Sequence, residues 1–102
     1  MTGHRVGTLS EMPAGSLRRV VVEGQPICIA RLADGTLYAI DDTCTHEEES
    51  LAEGELVDQE VECPAHFARF DLRTGEVMAP PALRPARVYH VTIEDDAILI
   101  EL

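Results

Sequence analysis

A chain of 102 residues has room for one compact domain, and its 19 acidic against 8 basic side chains leave a formal charge of −11. That charge repels phosphate backbones and anionic lipid, which argues against nucleic acid and membrane surfaces as partners, favours proteins with basic docking patches, and disfavours self-association beyond a monomer. Hydrophobic residues make up 45% of the sequence but aromatics only 4%, with no Trp, so the core of a globular fold must come from Val, Ile, Leu and Ala. The first residues show no basic segment leading into an apolar run, and nowhere do about 18 apolar residues follow one another, so neither secretion nor anchoring is expected. Three cysteines cannot complete a disulfide framework; a reducing compartment such as the bacterial cytoplasm is the simpler expectation.

Periodicity along the chain is short and β-like, without internal repeats. Strands are predicted at residues 5–9, 17–23, 26–32, 37–41, 55–63, 87–94 and 97–102. Glu23-Gly24, Asp34-Gly35 and Asp95-Asp96 sit between them as hairpin connections, so the strands form meanders and the fold class is all-β. One short helical turn is expected at 10–14, capped by Ser10 and ended by Pro13. Residues 43–85 differ in texture, being rich in Cys, His, Gly and Pro, and read as an insertion into a β scaffold built from 1–42 and 86–102.

The chemistry lies in that insertion. Cys44-Thr45-His46 is followed after sixteen residues by Cys63-Pro64-Ala65-His66, so each segment supplies one thiolate and one imidazole. Two such loops suit a [2Fe-2S] centre in which one iron is held by two thiolates and the other by two imidazoles. The intervening residues 55–62 can form a hairpin arm that returns the second loop beside the first. A structural zinc site is the main competitor, since two thiolates and two imidazoles also suit tetrahedral Zn²⁺. Spacing argues against it, because zinc fingers pair thiol with thiol and imidazole with imidazole. An accidental grouping of buried cysteines and satisfied histidines needs four coincidences. No nucleophile and base pair is evident, which argues against an enzyme.

Cys-x-His, sixteen residues and Cys-x-x-His resemble the Rieske signature, and the likeness extends beyond it. Phe70-Asp71-Leu72-Arg73-Thr74-Gly75-Glu76 is similar to the family's Phe-Asp, Thr-Gly run, and Pro80-Pro81-Ala82 to its proline-bearing loop over the cluster. The resemblance implies a Rieske fold, an antiparallel β-sandwich base with a smaller inserted subdomain. One [2Fe-2S] cluster would be held there by Cys44, His46, Cys63 and His66. Small size, the end at Leu102 and the lack of an anchor resemble the ferredoxin component of bacterial aromatic-ring dioxygenase systems. Such a ferredoxin carries one electron at a time from a flavoprotein reductase to a terminal non-haem iron oxygenase. An accessory subunit like the small subunit of a nitrite reductase is the alternative.

Several positions depart from the family. Respiratory members carry an extra Cys in each loop where Glu49 and Ala65 stand here, and a Ser beside the cluster sulfur where this chain has Ala68. Losing that donor and adding Glu47, Glu48 and Glu49 both lower the reduction potential, towards about −150 mV. The glutamates either form a solvated loop or steer a basic partner towards the cluster, and they favour imidazolium at His46 or His66 on reduction. Phe67 replaces a common Gly and is expected to pack against Pro80 or Pro81. Cys28 reads as an inert buried thiol, His4 and His90 as surface residues, and Phe70, Tyr38 and Tyr89 as core.

Overall fold

A computed structural model describes residues 3–44, 49–64, 68–79 and 84–102. The chain opens with β1 (Gly3–Thr8), β2 (Ser16–Val22), β3 (Gln25–Arg31) and β4 (Leu37–Asp41). Four short strands follow, β5 (Glu55–Val57), β6 (Glu60–Glu62), β7 (Arg69–Asp71) and β8 (Val77–Ala79), before β9 (Val88–Glu94) and β10 (Ala97–Glu101) complete it. All pairings are antiparallel, in a six-stranded sheet of order β1-β10-β9-β4-β3-β2 and a four-stranded sheet of order β5-β6-β7-β8. The all-β expectation therefore holds.

The tight turns follow from residues that accept left-handed backbone. Glu23 and Gly24 have φ of 50° and 81° and Asp95 has 56°, the sign that matches the twist of the flanking strands. The predicted strand over 55–63 is instead two strands, because Asp58 at φ 55° turns the chain between Val57 and Glu60. Nor does Ser10 cap the first helical turn. The 3-10 turn spans Leu9–Glu11, and Glu11 accepts from both the N–H and the hydroxyl of Thr8, at 3.1 and 3.0 Å. The Ser10 hydroxyl reaches across to Asp96 at 2.6 Å. A carboxylate three residues after Thr8 makes the better cap. His4 pairs with Ile100 within β1, and its Nε2 lies 3.1 Å from Glu23.

Strand β3 explains how the two sheets are held. Its continuous apolar run is buried on both faces, with Ile27 and Ile29 in one core and Cys28 and Ala30 in the other. Strand β4 repeats this with Ala39 and Ile40. The first core, with Met12, Tyr89, Ile98 and Ile100, lies within the six-stranded sheet. The second joins that sheet to Leu51, Val61, Phe70 and Leu72 of the inserted segment, all at most 1% exposed. Ile93 is 48% exposed, since it sits next to the β9–β10 turn, beyond the two residue pairs that join β9 to β4.

Those two pairs, Ala39 with Tyr89 and Ile40 with Val88, are a short seam, reinforced by side chains. The Tyr89 hydroxyl donates to the Asp41 carboxylate, and the Arg87 guanidinium lies 4.6 Å from the Tyr89 ring centroid. Burial and then the Asp41 carboxylate push the Tyr89 phenol up to about 12. The unfolded chain releases this proton near pH 10, so unfolding releases protons between the two values. Stability is therefore expected to fall as pH rises from about 10 to about 12. Tyr89→Phe should flatten that decline at a cost of about 1 kcal/mol near neutrality. Urea unfolding of both proteins at about pH 9 and about pH 11.5 checks this, and equal losses in the two would contradict it.

Candidate metal centre

Two hairpins converge from the insertion, each ending in a cysteine. Strand β4 runs on through Asp42 and Thr43 to Cys44, where Thr43 bridges to Ser50 and the Cys44 N–H donates to the Glu49 carbonyl at 2.9 Å. Strand β6 runs into Cys63, where Glu62 pairs with Arg69 and the Cys63 N–H donates to the Ala68 carbonyl at 2.7 Å. In both loops the cysteine bonds the residue five positions on, leaving a connection of four residues, 45–48 in one and 64–67 in the other. The two loops are thus closed in the same way despite their different cysteine-to-histidine spacings.

A buried carboxylate braces the neck of the first loop, and a second one folds the turn at the far end of β7. Asp42 is 2% exposed and uses all its polar groups. Its N–H donates to the Pro26 carbonyl at 3.1 Å and its carbonyl accepts from the Leu51 N–H at 2.7 Å. Its carboxylate accepts from the Ala52 N–H at 2.9 Å and from Arg19 Nε at 3.1 Å. Behind the second loop, the Asp71 carboxylate accepts from the Arg73 N–H at 2.8 Å and from the Arg73 guanidinium at 3.1 and 3.3 Å. Those bonds hold its carboxyl below the usual carboxylate range. The turn they fold carries Gly75, whose N–H donates to the Asp71 carbonyl and whose carbonyl accepts from the Ala86 N–H. This is the Phe-Asp, Thr-Gly run of the sequence, and it fastens β7 and β8 to the segment entering β9.

Cys44 and Cys63 lie in one buried cluster, 3% and 1% exposed, among residues of both sheets. His46 and His66 lie outside the described residues, as do Glu47, Glu48, Ala65, Phe67 and Pro80-Pro81-Ala82. Glu49 is exposed and Ala68 fully buried; both serve as the carbonyl acceptors that close the loops. Cys28 belongs to the same core but sits within β3 between Arg19 and Ile40. Burial and then the nearby Asp42 carboxylate push its thiol up, so it stays protonated, whereas metal ligation needs a thiolate. Among the described residues no three His, Cys, Asp or Glu side chains converge. The motifs single out the cysteines and the Thr74-Gly75 turn, but not Asp42 or Arg19. A carboxylate two residues ahead of Cys44 was the available signal.

The donor set fits an iron–sulfur centre better than a zinc finger. Two buried thiol-bearing residues end two separately braced loops, each with an imidazole within three positions, rather than sharing one knuckle. Residues 3–90 match the Rieske [2Fe-2S] domain, and the chain belongs to that family, whose cofactor is one [2Fe-2S] cluster. It is 42% identical to the 3-phenylpropionate/cinnamic acid dioxygenase ferredoxin subunit of Photorhabdus laumondii subsp. laumondii, over 93% of this chain and 90% of that one. The ferredoxin of carbazole 1,9a-dioxygenase from Nocardioides aromaticivorans superimposes with a TM-score of 0.92 at 36% identity, covering 98% of this chain and 97% of that one. A ferredoxin solved in complex with the reduced oxygenase of carbazole 1,9a-dioxygenase gives 0.90 at 34% identity, covering 96% and 100%.

Proposed function

We propose that the protein is the ferredoxin component of a bacterial aromatic-ring dioxygenase system, passing single electrons from a flavoprotein reductase to a terminal Rieske oxygenase. The observation that carries this is the pair of identically closed hairpins placing Cys44 and Cys63 in one buried cluster, within a chain that its dioxygenase-ferredoxin relatives match over nearly full length. Cys44 and Cys63, with His46 and His66 from the motif, are the residues that would hold the cluster, and residues 43–85 form the cluster-binding subdomain on a base of 1–42 and 86–102. Bound there, a [2Fe-2S] cluster with two thiolate and two imidazole ligands accepts and releases one electron. The chain supplies the rest. Leu51, Val61, Phe70 and Leu72 exclude water from the cysteine side, and one backbone bond closes each loop on its own cysteine.

Partner choice is supported by charge. Eight acidic side chains and no basic one lie between positions 47 and 62, and Glu49, Glu53, Glu55 and Asp58 are exposed, which suits basic docking patches on reductase and oxygenase. No helix among the described residues is long and apolar enough to cross a membrane. A cytoplasmic location is part of the proposal, in keeping with three cysteines that form no disulfide. Iron and acid-labile sulfide analysis with electron paramagnetic resonance of the dithionite-reduced protein tests the reading. Two irons, two sulfides and the low average g value of mixed imidazole and thiolate ligation are expected. Colourless protein containing one zinc and no sulfide would overturn it.

A further inference from the structure

Asp42 occupies a place that the cluster motif does not explain. It lies two residues before Cys44, and its four polar groups reach β2, β3 and the 3-10 turn Leu51–Glu53 that follows the first loop. Both ends of the loop are therefore fastened to one residue: its own chain enters the loop, and Leu51 and Ala52 leave it bonded to the Asp42 carbonyl and carboxylate. The carboxylate is 3% exposed, while the Arg19 side chain that pairs with it is 51% exposed. A buried anion next to a cysteine loop, with a half-solvated cation beyond it, acts on more than shape.

We propose that Asp42 is the positioning residue of the first ligand loop, and that Arg19 and Asp42 together set the electrostatic potential at the metal centre. The inference rests on the cluster reading above and deepens it. Two residues of chain span at most about 7 Å, so the Asp42 backbone is held within that distance of the Cys44 backbone. Opposite charges 3.1 Å apart largely cancel at a distance, and removing either one leaves the other acting alone. Negative charge near the centre opposes electron uptake, and positive charge assists it. Neutralising Asp42 therefore raises the reduction potential and neutralising Arg19 lowers it. The Arg19 shift is the smaller, because solvent screens its guanidinium more than the buried carboxylate.

The test is a redox titration of the intact protein and of Asp42→Asn and Arg19→Gln, with iron release to a chelator followed in parallel. Asp42→Asn keeps the side-chain shape but loses one acceptor, so iron release should be at least several-fold faster, together with a higher midpoint potential. Arg19→Gln should lower the midpoint. Shifts of opposite sign support the proposal, because a purely structural brace would weaken cluster retention without giving the potentials opposite signs. Unchanged potentials, or shifts in the same direction, overturn it. If Asp42→Asn does not fold, the sign of the Arg19→Gln shift decides alone. An intact protein without iron and sulfide would remove the cluster reading itself, whereas an intact cluster indifferent to both substitutions removes only the role given to Asp42 and Arg19.

Discussion

Gly75→Ala is expected to destabilise the protein by about 3 kcal/mol or more, the largest effect of any single methyl addition in the fold apart from the similar case of Gly54. Two independent costs combine. At φ 82° an alanine carries a left-handed penalty of about 1 kcal/mol. In addition its Cβ would stand 1.9 Å from the Ala86 carbonyl oxygen, a contact that only backbone movement can relieve. Such movement breaks the bonds from the Ala86 N–H to Gly75 and from the Gly75 N–H to Asp71, each contributing about 1 kcal/mol. Gly15 supplies the control, since its φ of 80° is nearly the same but nothing lies within 4 Å of an added Cβ. Gly15→Ala should cost about 1 kcal/mol, the strain without the collision. Urea unfolding of both variants measures the difference. Equal losses would show that the close approach between Gly75 and Ala86 does not hold the insertion to the entry of β9.

Much of this architecture was legible because physical period and chemistry coincided. Strands β2, β3, β4, β9 and β10 were found within a residue or so of their ends, since five or more residues carry a readable β pattern, and Glu23-Gly24 and Asp95 mark turns that demand left-handed backbone. Strands β7 and β8, three residues each, were not expected as strands. They are too short for alternation to register, and they exist because Val61 and Phe70 pair across β6 and β7 in the second core. The hairpin over 55–62 is expected from the spacing of the two loops, but its turn at Asp58 is not marked in the sequence, because Asp tolerates positive φ without the glycine that usually signals it. At the candidate metal centre Cys44 and Cys63 stand out by their spacing to His46 and His66. Asp42 did not, because its meaning depends on Arg19, Pro26 and Ala52, which meet it only in the folded chain. Two-sided burial of β3 was encoded in its unbroken apolar run, but which side faced which core needed the partner sheet.

Cys44→Ser is expected to abolish the cluster and to loosen the four-stranded sheet while the six-stranded sheet remains folded. Strands β5 to β8 have three residues each, well below the usual strand length of about 5 to 6, so their own ladders give them little independent stability. Their burial depends on the core that contains both cysteines. The core of Ile27, Ile29, Tyr89, Ile98 and Ile100 shares no residue with it and lies within strands joined by long registers, such as the five pairs between β9 and β10. On the side facing the insertion the larger sheet presents Cys28, Ala30, Leu32 and Ile40, with Leu17, Tyr38 and Val88 packed beside them and already partly exposed, so part of the exposure cost is borne in the intact protein. Hydrogen exchange should therefore show amides of β5 to β8 losing protection by roughly 100-fold, while those of β1, β9 and β10 change by a few-fold at most. A uniform loss across all ten strands would mean that the two cores unfold as one cooperative unit. Retention of the native visible spectrum by Cys44→Ser would instead remove Cys44 from the ligand set. The two outcomes are separable because one is read from amides and the other from the chromophore.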